Sequence, residues 1–132
     1  MVGDDMLQQK GVIGIVDDDP GVRDALDLLL SSYGYRTELF ASAEELILAA
    51  KTTRSACLLV DIELGDVTGV KLGRQLSAMG HSFPIIFMTG SCDAMFQKQA
   101  LDSGCVAFLH KPFQAEQLIE SIARATAHPR RH

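Results

Sequence analysis

The stretch Val12-Ile13-Gly14-Ile15-Val16-Asp17-Asp18-Asp19-Pro20 decides the fold. Its first five residues are apolar without alternation, which suits a strand covered on both faces, as in a parallel sheet layered by helices. Asp19 followed by Pro20 resembles a helix N-cap with proline in the first helical position. Val22, Leu26, Leu29 and Tyr33 then fall on one helical face, and Gly34 stands where that helix should stop. A buried strand passing straight into an amphipathic helix is half of a βαβ unit.

Working outward, further apolar runs lie at residues 57–60, 85–88 and 105–109, each bounded by Asp, Gly, Pro or Lys. A more polar run at 35–40 suits an edge strand. Leu72, Leu76 and Met79 repeat the helical spacing, as do Leu118, Ile122 and Ala125; Ser42 with Glu45 forms a capping box, and Gly104 is a second helix stop. Strand and helix alternate five times, which predicts a doubly wound α/β fold with helices on both faces and right-handed crossovers. We read residues 1–10 as a tail, 11–127 as one domain and 128–132 as a tail or linker start, with Pro129 ending the last helix.

Bulk properties exclude several classes. A chain of 132 residues, 47% hydrophobic and 22% charged, folds as one domain without disulfides. Its net charge of -5 argues against nucleic-acid binding, which needs clustered cations. Arg130 and Arg131 in the tail read as a solvated end. Cys57, Cys92 and Cys105 follow no zinc spacing and suit a reducing cytosol, Cys57 and Cys105 as core and Cys92 as an inert thiol near the site. His81, His110, His128 and His132 show no ligand pairing. No leader or membrane-length apolar run is present, so a cytoplasmic location with no membrane partner is expected.

Ligands of open α/β sheets sit beyond the carboxyl ends of the strands. Those positions hold Asp17, Asp18 and Asp19 after the first run, Asp61 after the 57–60 run, Thr89 and Gly90 after 85–88, and His110, Lys111 and Pro112 after the last. Converging carboxylates repel one another unless a cation intervenes, and a hard ion such as Mg2+ takes carboxylate oxygens while leaving positions for phosphate. Lys111 supplies a charge and Thr89 a hydroxyl. A carboxylate with these neighbours suffices for forming an aspartyl phosphate, with Asp61 the best-placed nucleophile.

Val16-Asp17-Asp18-Asp19, Asp61 with Gly69 eight residues on, Met88-Thr89-Gly90 and Phe108-Leu109-His110-Lys111-Pro112-Phe113 together resemble the receiver domains of two-component response regulators, the CheY-like superfamily, and look closest to FixJ-like receivers. The resemblance implies a flavodoxin-like five-stranded parallel sheet of order 2-1-3-4-5 with five helices. It implies Mg2+ held by Asp18, Asp61 and the Glu63 backbone carbonyl, with Asp17 acting through water. Asp61 would be phosphorylated, Thr89 and Lys111 would hold the phosphoryl group, Thr89 and Phe108 would form the switch, and the Lys111–Pro112 bond would be cis. The donor would be a sensor histidine kinase or phosphotransfer protein. The response would appear on the surface of the fourth helix, fifth strand and fifth helix, as a homodimer or output contact in transcriptional regulation.

Two positions depart from the family pattern. Leu64-Gly65 replaces the usual Met-Pro after the phosphoacceptor, and Glu63 adds a carboxylate that would pair with Lys111 or approach the metal and tune phosphoryl lifetime. Other readings compete. Asp19 alone reads as a helix cap, and Phe108 alone as a core aromatic. Asp17-Asp18-Asp19 also resembles the start of haloacid-dehalogenase-type phosphatases, with Asp17 as nucleophile and Asp19 as general acid, but that leaves Asp61 idle. A third reading is a receiver-shaped module that takes no phosphate.

Overall fold

The structure is a computed structural model that describes residues 10–65, 67–91 and 93–127. Strand β1 (Val12–Val16) leads to α1 (Pro20–Ser32), β2 (Arg36–Phe40) to α2 (Ala43–Ala49), and β3 (Ser55–Asp61) to α3 (Gly69–Ala78). After these come β4 (Ile85–Thr89), α4 (Ala94–Asp102), β5 (Ala107–His110) and α5 (Ala115–Ala127). The strands form one parallel sheet in the order β2-β1-β3-β4-β5. This is the expected doubly wound, flavodoxin-like sheet, and β1 and β3 lie beside each other where the winding reverses.

Alternation along the strands splits the core in two. Val16, Leu58, Val60 and Phe87 pack with Leu46 of α2 and Leu72 and Leu76 of α3 on one face. Ile13, Ile15, Leu59, Ile86 and Met88 pack with Leu26 and Leu30 of α1 and Leu118 and Ile122 of α5 on the other. Most of these side chains are wholly excluded from solvent, and each contributes about 1.5–3 kcal/mol by leaving water. Continuous apolarity of β1, β3 and β4 is the direct consequence of this two-sided burial. The edge strand β2 has the burial pattern of a half-exposed strand, with only Phe40 buried.

Glycine 14 has a specific task in this sheet. A Cβ there would lie 2.7 Å from both Leu58 Cδ2 and Ser55 Oγ. Over the bare backbone, Glu38 of β2 accepts hydrogen bonds from Ser55 Oγ at 2.9 Å and from the Arg54 amide at 3.1 Å, and the Thr53 hydroxyl donates to the same oxygen. The edge strand is thereby tied to β3 across β1.

Local signals differ from expectation in a few places. In α1 the buried positions are Leu26 and Leu30; Tyr33 is the C-cap and exposed, because the helix ends before its face would return to the core. Met79 is likewise the exposed C-cap of α3. Asp19 caps α1, accepting from Gly21 and Val22 amides at 2.8 and 3.4 Å, with Pro20 following. Ser42 accepts from the Glu45 amide at 3.1 Å, but Glu45 reaches back to the Ala41 amide at 3.0 Å, one residue beyond the expected partner. Gly34 and Gly104 end helices with φ of 92° and 80°. The last strand starts at Ala107, not at residue 105, since the chain leaves Gly104 turning and first joins the sheet through the Val106 amide and Ile85 carbonyl, 2.8 Å apart. Cys57 is buried and Cys105 half-buried; Cys92, His128, His132 and the Arg130-Arg131 tail lie outside the described residues.

Candidate functional site

The site is built at the carboxyl ends of β1, β3, β4 and β5. Asp17 follows β1 directly and is fully buried. Its amide donates to Phe40 O at 3.2 Å, its Oδ1 accepts from the Asp19 amide at 2.9 Å, and its Oδ2 lies 3.2 Å from Lys111 Nζ. Asp18 is exposed, whereas the Asp19 carboxylate is spent on capping α1. Asp61 ends β3. Its Oδ1 accepts from the Glu63 amide and its Oδ2 from Lys111 Nζ, both at 2.8 Å. Thr89 ends β4, is fully buried, and accepts from the Ser91 amide at 3.0 Å through Oγ1. Lys111 follows β5, is anchored by its amide to Thr89 O at 2.7 Å, and precedes a cis bond to Pro112.

Carboxylate oxygens of Asp17, Asp18 and Asp61 lie within 4.8 Å of one another. Burial raises the Asp17 pKa above its ordinary value, and the Asp61 charge adds to this; the Asp19 amide and Lys111 oppose it without prevailing. Burial pulls the Lys111 ammonium down, but its hydrogen bond to Asp61 and the charges of Asp61 and Asp17 outweigh that and raise it. Lys111 lies nearer Asp61 and leaves Asp17 under-compensated. Three convergent oxygen donors, two of them paired with one lysine, fit a hard divalent cation.

The chain beyond Asp61 forms a small hairpin, pairing Glu63 with Thr68 and Leu64 with Val67. Gly65 turns it with φ of 71°, a conformation that glycine adopts without penalty. Leu64 is buried and Glu63 exposed. Lys111 pairs with Asp17 and Asp61, and among the described residues no ion pair involves Glu63. Gly69 opens α3 because a Cβ there would lie 2.8 Å from the Asp61 carbonyl and 3.0 Å from Phe87. Phe108, half-buried, has its ring edge-on to His110 at 5.2 Å between centroids.

Sequence reasoning missed Arg23. From the second turn of α1 its Nη1 donates to the Asp17 carbonyl at 2.7 Å, fixing the acidic loop from behind. An arginine near a helix start ordinarily reads as a solvated charge, and no local pattern signals a reach back across the cap.

The family model of the response regulator receiver domain matches residues 13–123. The chain belongs to the response-regulator receiver family. The receiver is 35% identical over 120 residues to response regulator protein TmoT of Ectopseudomonas mendocina, covering 91% of this chain and 54% of that protein. It is 34% identical over 119 residues to transcriptional regulatory protein FixJ of Bradyrhizobium diazoefficiens, covering 90% and 58%. The chain thus spans about half the length of the curated relatives it matches. A crystal structure of FixJ-N superposes with a TM-score of 0.86 at 33% identity, covering 94% of this chain and 99% of that one. The likeness to FixJ-like receivers holds, and the receiver is a two-component signalling switch. The haloacid-dehalogenase reading finds no support: the Asp17 side chain is 1% exposed and Asp19 is engaged as a cap. Among the described residues, no helix is long and apolar enough to cross a membrane.

Proposed function

We propose that the receiver accepts a phosphoryl group on Asp61 from the phosphohistidine of a sensor kinase or phosphotransfer protein, and that this sets a switch. The observation that carries the reading is Asp61 itself: it shares the carboxylate cluster, is gripped by Lys111 at 2.8 Å, and keeps a side chain 12% exposed where Asp17 keeps 1%. An attacking group must be reachable. Asp17 is not.

In this reading Asp18, Asp61 and the Glu63 carbonyl hold Mg2+, and Asp17 acts through water. When bound, Mg2+ neutralises charge on the phosphoryl oxygens. An oxygen of Asp61 forms the bond to phosphorus as the bond to the donor imidazole nitrogen breaks. Lys111 moves from the carboxylate to a phosphoryl oxygen, and the Thr89 hydroxyl turns from the Ser91 amide to another. Such transfer depends on positioning and charge, so no further acid or base is required. Glu63, exposed beside the site, shapes the approach of attacking water and so the phosphoryl lifetime.

Drawing Thr89 toward the phosphoryl group frees space for Phe108 to rotate inward, which shifts populations on the surface of α4, β5 and α5. That surface exposes Met95 and Leu101 of α4 and serves dimerisation or an output contact. Residues 11–127 form the domain, its location is cytoplasmic, and its net charge of -5 favours protein partners over nucleic acid. Transcriptional output follows by likeness to FixJ. Treatment with acetyl phosphate and Mg2+, followed by peptide mass spectrometry, tests the reading. A phosphoryl group on Asp61, absent in Asp61→Asn, is expected; continuous phosphate release through Asp17, or no label, overturns it.

A further inference from the structure

The two residues proposed to carry the switch share one neighbour. Strands β4 and β5 are paired so that Phe87 lies beside Phe108 and Thr89 beside His110. Phe108 and His110, two apart on a strand, project from the same face. His110 is thus flanked by Thr89 across the strand pair and by Phe108 along its own strand. Its ring meets the Phe108 ring at 82°, with centroids 5.2 Å apart, the edge-to-face arrangement that aromatic pairs prefer. Phe108 also packs against the core cluster that contains Phe87 and Val60, while His110 remains exposed. Among the described residues, no hydrogen bond or ion pair holds the imidazole.

We infer that His110 is a positioning residue of the switch, a brace that holds Phe108 in its resting orientation and must release it when Thr89 moves. This rests on the reading of Thr89 and Phe108 given above. His110 does not touch the phosphoryl group. It acts on the equilibrium between the two Phe108 orientations: in this inference the observed edge-to-face contact belongs to the resting one, and inward rotation of the Phe108 ring breaks it. Deleting the ring favours the inward orientation by the value of that contact, an increase of about 2- to 10-fold in its population. A ligand that selects the inward state then acts at a lower concentration by the same factor, as long as that state is the minor one.

The test uses beryllium fluoride with Mg2+ as a phosphoryl mimic, and NMR of phenylalanine-labelled protein with the Phe108 signals assigned through Phe108→Leu. His110→Ala, an exposed change that should lower the urea midpoint by no more than the lost contact is worth, is expected to move the resting Phe108 signals toward the activated position. It should also lower the beryllium fluoride midpoint about 2- to 10-fold. His110→Phe keeps an edge-on ring and is expected to match wild type on both counts. Equal midpoints for wild type and His110→Ala, or a shift shared by His110→Phe, overturn the brace. If the wild-type Phe108 signals do not respond to beryllium fluoride at all, the switch reading beneath it fails, and the brace with it.

Discussion

The ammonium of Lys111 lies 2.8 Å from Oδ2 of Asp61, so the proposed phosphoacceptor is already held by the cation proposed to bind its phosphoryl group. The same nitrogen reaches Asp17 at 3.2 Å. Lys111→Met strips the carboxylate cluster of its internal cation and should lower unfolding stability by about 2 kcal/mol without divalent ions. Mg2+ should recover more stability in this variant than in wild type, because it then replaces the missing charge. Urea titrations with and without Mg2+ measure both; equal Mg2+ effects in the two proteins would refute the shared role.

Asp17 gives a pH prediction of definite sign. Its folded pKa lies above the ordinary 3.8, chiefly through burial. The native state therefore binds this proton more tightly than the unfolded chain does. From this group, stability falls as pH rises from 3.8 through the folded value, and the cost is fully present at neutral pH. Asp17→Asn, whose one amide oxygen can still accept from the Asp19 amide while the contact to Lys111 is given up with the charge, should unfold at higher urea than wild type at neutral pH in EDTA. The gap should close as the buffer is made acid. A gap that is constant with pH would assign the effect to packing.

Two glycines separate folding from function. Gly14→Ala and Gly69→Ala each force a methyl to within 2.7 or 2.8 Å of neighbouring atoms, and overpacking of this kind costs about 1–3 kcal/mol. At Gly14 the neighbours are side chains distant from the site. At Gly69 the neighbour is the Asp61 carbonyl. Only Gly69→Ala should slow labelling by acetyl phosphate beyond what its lost stability explains, as judged at a temperature where both variants are fully folded.

Cys57 is buried in β3, and burial pushes its thiol up to about 12. The thiolate is the reactive form, so Cys57 should resist iodoacetamide in the native protein at mildly alkaline pH and react once urea unfolds it. Peptide mapping reads the outcome. Modification of native Cys57 at the unfolded rate would mean that β3 opens readily.

Much of this was legible in the residues because the physics is local or periodic. Runs flanked by Asp, Gly and Pro marked the buried strands, and the Asp19-Pro20 cap marked the turn into α1. The helix faces were phased less finely: Val22 and Leu29 do pack against the core but stay partly exposed, while Leu30, not singled out by the spacing, is buried. Strand β3 begins at Ser55, earlier than its apolar run, because Ser55 and Thr53 find a polar partner in Glu38 on another strand. The site's membership could be read from strand ends, but its pairings could not. Lys111 choosing Asp61 over Glu63, and Arg23 reaching the Asp17 carbonyl, depend on distances that only the assembled sheet sets.

The contact between Lys111 and Asp17 joins positions 94 residues apart. A ribosome therefore releases the acids of β1 long before the lysine that completes their surroundings. Until β5 has docked, a nascent or clipped chain holds the carboxylates without their partner. Completion of this cluster thus waits on the last strand, and a chain cut before β5 loses the cation along with the strand.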